Sequence, residues 1–245
     1  CVVLCLGVSL CLFTSPKKSV SDELDKAVSD ANSLVNGENT ALDESLRSSL
    51  ETKISETKAV KLTVPTMAET VKDIDTQTTE MNTTDYSDVL KSLDEAYTAL
   101  NNSIKQYELV NNPTESYVIK CLEKVEHVIG ISAVTEDNDP NGHLGKAGGY
   151  TATVYFTCDW VNQSNVYGNT IIEKGTDGGG AIEVYANVED AESRNSYLAG
   201  FDGGVLASGS HTVVGTCVVR TSDELAASKQ KELEAAVIGA LTKLE

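Results

Sequence analysis

The chain has 245 residues, 40% of them hydrophobic, and its 37 acidic and 19 basic side chains leave a net charge of −18. That apolar fraction can fill a core, which excludes a wholly disordered chain. Residues 1–112 carry −8 and residues 113–245 carry −10, so neither part offers a basic face, and nucleic acid and anionic lipid surfaces are excluded as general partners.

Residues 1–13, CVVLCLGVSLCLF, carry no charge and run into Thr14-Ser-Pro-Lys-Lys18. Thirteen apolar residues fall short of the roughly 20 that span a bilayer as a helix. The run opens without Met, so a signal or anchor truncated upstream is expected. The readings are the tail of a signal peptide, an uncleaved anchor, and a buried helix. A terminal position followed at once by polar residues favours the first two. Gly7-Val8-Ser9 has the small residues a signal peptidase takes, whereas Leu4 before Cys5 and Leu10 before Cys11 do not suit lipid attachment. Lys17 and Lys18 weigh against export of the C-terminal side. Residues 1–18 are taken as a signal or membrane anchor, and membrane contact is expected through residues 1–13 only.

Residues 19–112 read as a helical bundle. Leu24, Ala27, Val28, Ala31, Leu34 and Val35 recur at helical spacing, and after Gly37 the period resumes at Leu42, Leu46, Leu50 and Ile54. One long helix to about Val60, kinked or interrupted at Gly37, is expected. Thr66-Met-Ala-Glu69 has the form of a capping box opening a helix with Met67, Val71, Ile74 and Met81. The clearest stripe is Tyr86, Val89, Leu90, Leu93, Tyr97, Leu100, Ile104 and Tyr107. Short connections between such helices point to three or four antiparallel neighbours.

Residues 113–245 read as an α+β domain. Asn112-Pro113-Thr114-Glu115 predicts a helix start with Asn112 as the cap. Strands are predicted at 128–134, 151–158, 181–185 and 212–220, the third preceded by a Gly178-Gly179-Gly180 turn. Asn187 opens a helix that Gly203-Gly204 stops, and Thr221-Ser-Asp-Glu224 caps a last helix. Neighbouring strands without helices between them predict a mainly antiparallel sheet with helices on one face. The fold class is therefore α+β, a helical bundle followed by an α/β sandwich.

Among candidate sites, Glu136-Asp-Asn-Asp-Pro-Asn-Gly142 alternates Asp137, Asp139 and Asn141 ahead of a glycine, as calcium loops do. The twelfth place, where a bidentate Glu belongs, is Gly148. The same residues also make ordinary acidic turns. Calcium is the one cofactor this pattern allows. Lys174-Gly-Thr-Asp-Gly-Gly-Gly180 lacks phosphate-loop spacing and reads as a flexible hairpin. His211 precedes a strand and reads as a strand-edge side chain. Cys121, Cys158 and Cys217 show no CxxC or metal spacing. They read as buried thiols, with a Cys158–Cys217 bridge open if the two lie on facing strands.

Two resemblances rest on particular residues. Asp85-Tyr-Ser, Leu90, Leu93, Ala96, Leu100 and Ser103-Ile104 resemble the last helix of small helical modules in Gram-positive surface proteins, including extracellular matrix-binding repeats. Thr135 to Gly142, Gly148-Gly-Tyr150, Ile182-Glu-Val-Tyr185, Glu189-Asp-Ala191 and Gly209-Ser-His211 are similar to an uncharacterised domain of anchored or exported Firmicutes proteins. The resemblance covers most of residues 113–245, implies an envelope location and supplies no catalytic residues. The expected function is a non-catalytic binding or structural role at the cell envelope, toward a ligand the sequence does not name. The alternative is an extracellular enzyme, with calcium as an optional cofactor, acting on cell-wall or surface substrate; Asp137, Asp139, Asp177 and His211 are its candidate polar groups, and at least two of them must converge on a pocket.

Overall fold

The computed structural model describes residues 16–60, 76, 79, 85–204 and 209–245. The apolar run 1–13 and most of the helix expected over Met67–Met81 lie outside the described residues. The chain divides into two compact units, Cys1–Ile104 and Lys105–Glu245. No helix among the described residues is long and apolar enough to cross a membrane.

The described elements of the first unit are helices. Helix α1 spans Pro16–Val35 and α2 spans Ser45–Val60. The third described helix, α3, spans Ser87–Val110, and the division between the units falls inside it. The apolar stripes meet in a core of Ala31, Ala41, Leu50, Ile54, Leu93, Leu100 and Ile104. The break expected at Gly37 is a full interruption. Arg47 holds it: one Nη donates to Val35 O at 2.6 Å and the other to Asn39 O at 2.7 Å. These bonds satisfy carbonyls that the end of a helix leaves open. Buried Ser103 on α3 pins the same loop, accepting from Leu42 N at its carbonyl and from Asp43 N at its hydroxyl.

The second unit is α+β. Its strands are β1 Val128–Ala133, β2 Tyr150–Cys158, β3 Gly179–Tyr185, β4 His211–Val214 and β5 Cys217–Thr221. They form one antiparallel sheet in the order β1-β2-β3-β5-β4. The helices are α4 Glu115–Leu122, the single turn α5 Ile171–Lys174, α6 Val188–Ala199 and α7 Ala227–Leu241.

Helices cover both faces of this sheet, not the one face expected. Cys217 points its thiol at Val110 O and neighbours Cys121 of α4. Its neighbour Val218 points the opposite way, into a cluster with Ala191 and Leu198 of α6. Alternation along a strand sends successive side chains to opposite faces, so α4 and α6 lie on opposite sides. This is why every residue of β3 is buried.

Several local expectations change, each for a physical reason. The run 212–220 is a hairpin of two strands, because Gly215 takes a φ of 58° and turns the chain. Gly179 and Gly180 belong to β3 instead of preceding it: a Cβ on Gly180 would lie 2.3 Å from Arg220 O and 2.4 Å from Phe156 Cζ. Thr114, not Asn112, caps α4 by accepting from Tyr117 N. Asn112 sits at φ 49° and donates its N–H to Thr216 Oγ1 at 2.7 Å. Helix α6 ends at Ala199, before Gly203-Gly204. Thr221 closes β5, and α7 starts only at Ala227.

Candidate functional site

The site begins with one residue of β3. Alternation places Glu183 on the α6 side of the sheet, with Ala181 and Tyr185, and its side chain is fully buried. An ionised carboxylate there must be paired. Arg194 of α6 meets it with two parallel bonds, Nε to Oε2 at 2.8 Å and Nη2 to Oε1 at 2.9 Å. Arg220 of β5 adds a bond to Oε1 at 2.9 Å, and the Tyr185 hydroxyl donates to Oε2 at 2.9 Å. Burial alone would raise this carboxyl. The Arg194 bonds and the two guanidinium charges outweigh it and hold Glu183 below the usual carboxylate range. Arg194 reaches it because Asn187 caps α6, accepting from Asp190 N, and Ala191 and Leu198 seat the same helix face on the sheet.

A second carboxylate organises the neighbouring loop. Asp139 accepts from Asn141 N at 3.0 Å, from Leu144 N at 2.8 Å and from the Tyr150 hydroxyl. Partial burial would raise its carboxyl, but the Tyr150 bond and the backbone donors bring it down to about 2. Burial, with Asp139 beside it, pushes the Tyr150 phenol well above its ordinary value, and burial with Glu183 does the same to Tyr185. A bulge between Tyr150 and Ala152 aims Tyr150 at this face. The two tyrosine rings meet edge to face, 6.4 Å apart at 76°.

Between this loop and α6 lies a cleft of about 440 Å³. Tyr150 and Tyr185 line its inner part with Arg194. Asn141, His143 and the Gly148-Gly149 backbone line it from the loop, and Asp190, Ser193 and Tyr197 line it from α6. His143 approaches Tyr150 edge to face at 6.4 Å. Arg194 lies 5.5 Å from the centre of the Tyr197 ring.

The candidate residues from the sequence are dispersed. Asp137 is exposed, and Asn141 lines the cleft. Asp139 directs its oxygens to N–H and O–H donors, which a cation would have to displace. Asp177 lies in a single 3-10 turn, Gly175–Gly178, at the start of β3. Partial burial and the charges of Asp223 and Glu224 raise its carboxyl. Tyr150, which binds Asp139, pairs with Tyr185 at the far end of β3, about 20 Å away at the rise of a strand. His211 sits on β4, its ring nitrogens 2.7 Å from Asn195 Oδ1 and 3.2 Å from Asp202 Oδ1. None of Asp137, Asp139, Asp177 and His211 lines the cleft.

The expected flexible hairpin at 174–180 is instead a capped helical turn, a 3-10 turn and the head of β3. Gln163 fastens it by donating to Gly178 O at 2.6 Å. Cys121, Cys158 and Cys217 are free and buried. Cys217 pairs with Val184 near one end of β3, whereas Cys158 follows the Thr157–Gly179 pair at the other. They do not face each other. Burial pushes the Cys217 thiol up to about 12. Among the described residues, no group of three or more His, Cys, Asp or Glu side chains is placed to hold a metal ion.

The sequence reading missed Glu183, Arg194 and Arg220. One signal was present: Glu183 interrupts an otherwise apolar Ala181–Tyr185 run. Comparison with family models, with curated proteins and with solved structures found no match.

Proposed function

We propose that this protein is a non-catalytic ligand-binding protein of the cell envelope, tethered or exported through residues 1–13, with the ligand held in the cleft between the Asp139–Tyr150 loop and α6. One observation carries the binding role. Asp139, Tyr150, Glu183 and Tyr185, which build the floor of the cleft and anchor its loop, are fixed by the Tyr150–Asp139 and Tyr185–Glu183 bonds and by the bonds of Arg194 and Arg220 to Glu183. Groups fixed in this way suit recognition, because little order is lost when a ligand arrives. The uncharged composition of residues 1–13 and the resemblance to exported Firmicutes domains support the envelope location.

The test of binding is a ligand-observed NMR screen of the full chain against mixed polar fragments. Ser193→Trp fills the cleft from an exposed position on α6. Hits that disappear in Ser193→Trp, at an unchanged melting temperature, support the cleft. Hits that all persist place binding elsewhere. The test of location is external protease treatment of bacterial cells expressing the chain. Protection from the protease in cells whose wall has been removed would overturn the envelope reading.

A further inference from the structure

Resting on the cleft as the ligand site, we infer that its ligand is a neutral, hydroxyl-rich molecule, a saccharide of one or two rings. Charge is the first argument. Arg194 presents the cation, but its Nε and one Nη are already bonded to Glu183. The guanidinium has further N–H donors, but a ligand carboxylate taking them would face Asp190 on the same helix. A cationic ligand drawn to Asp190 would meet Arg194. With both signs present on the same helix, the cleft favours a ligand without net charge.

Polarity is the second argument. Asn141 and Ser193 are exposed short polar side chains on opposite walls. Asp190 keeps one oxygen on Asn187 Nδ2 at 2.8 Å and turns the other toward Gly148, where a Cβ would lie 3.8 Å from it. An apolar ligand would strip water from these groups and return no hydrogen bonds. Sugar hydroxyls can donate to Asp190 and both donate to and accept from Ser193 and Asn141.

The third argument is the aromatic ring of Tyr197, which remains 60% exposed at the cleft although it also contacts Phe201 and Arg194. A sugar ring offers a C–H face to such a surface and hydroxyls at its edge. The volume of about 440 Å³ lies within the roughly 300–1,000 Å³ of small-molecule clefts.

The test is isothermal titration of the full chain with maltose, cellobiose and N,N′-diacetylchitobiose, with glucuronate and glucosamine as charged comparators. At least one neutral disaccharide is expected to bind. Tyr197→Ala should weaken it about tenfold, as loss of an aromatic anchor does, and Ser193→Trp should abolish it. Both positions are exposed, so melting temperatures should stay within a few degrees of wild type and fold loss is separable from ligand loss. No heat from any neutral disaccharide, undiminished binding in Ser193→Trp, or tighter binding of a charged comparator overturns the inference. Fragment hits that depend on an open cleft, beside a blank saccharide series, would remove the saccharide and leave the binding role standing. Blanks in both would remove both.

Discussion

A carboxylate with no exposure is costly unless its partners are in place, so Glu183 makes the second unit sensitive at one residue. Removing one partner from a buried ion cluster leaves the others uncompensated, at about 3–5 kcal/mol. Glu183→Gln keeps the shape and removes the charge that Arg194 and Arg220 share. A loss of about that size is expected in chemical denaturation near neutral pH. The pH dependence has a definite sign. The folded-state pKa of Glu183 is lowered, so its contribution is present above the unfolded value of about 4.3 and is lost as pH falls through the folded value. The stability gap between wild type and Glu183→Gln should therefore narrow on acidification below about pH 4. A gap independent of pH would show that shape, not charge, matters at this position. Asp139 obeys the same rule: its carboxyl lies at about 2, and its contribution fades between about 3.9 and that value. Because its oxygens are committed to Tyr150, Leu144 and Asn141, millimolar calcium is expected to leave the melting temperature unchanged. A rise with calcium that Asp139→Ala removes would restore the calcium loop that the Asp137–Gly142 pattern suggests.

At the scale of elements, legibility tracked the range of the forces involved. The helical stripes of α1, α2 and α3 could be read from spacing, because one apolar face repeated every three to four residues suffices to predict a helix. Caps were legible where the side chain and its N–H lie within three residues, as at Asn187. They were misplaced where a distant partner intervened: Asn112 was claimed by Thr216, over a hundred positions away. The cleft was half legible. Asn141 and Tyr150 belong to stretches the sequence singled out, but Glu183 was hidden because a charge on a strand ordinarily faces water. The charges that make its burial tolerable come from Arg194 of α6 and Arg220 of β5, and neither is near it in sequence. The glycines before β3 were misread for a related reason, since their demand comes from Phe156 and Arg220 across the sheet. Gly180→Ala should displace Phe156 or the β5 backbone, at about 1–3 kcal/mol for overpacking. Thermal unfolding of the variant checks this, and an unchanged melting temperature would show that the sheet opens freely at that point.

At the scale of the molecule, the question is where the second unit begins. Reading for turns puts a boundary at Asn111–Pro113, where the helical period stops. The contacts place it earlier, between Ile104 and Lys105, because the last turns of α3 are built into the second unit. Val110 is fully buried, and its carbonyl accepts from Thr216 N at 2.9 Å and from Thr216 Oγ1 at 3.2 Å. Asn112 N returns a bond to Thr216 Oγ1, and Gln106 donates its amide to Thr242 O at 3.2 Å. A chain starting at 113 gives up the burial of a Val side chain, about 1.5–3 kcal/mol. It also gives up several hydrogen bonds worth about 1 kcal/mol each. The sum is a sizeable part of the roughly 5–15 kcal/mol by which domains are stable. Residues 105–245 and 113–245 should therefore differ sharply in urea or thermal unfolding, the longer fragment cooperative and the shorter one destabilised by several kcal/mol or unfolded. The gap should shrink in the Thr216→Val background, where the bonds involving the Thr216 hydroxyl are already gone. Equal stability of the two fragments would move the boundary back to Pro113 and make the last turns of α3 a passive link.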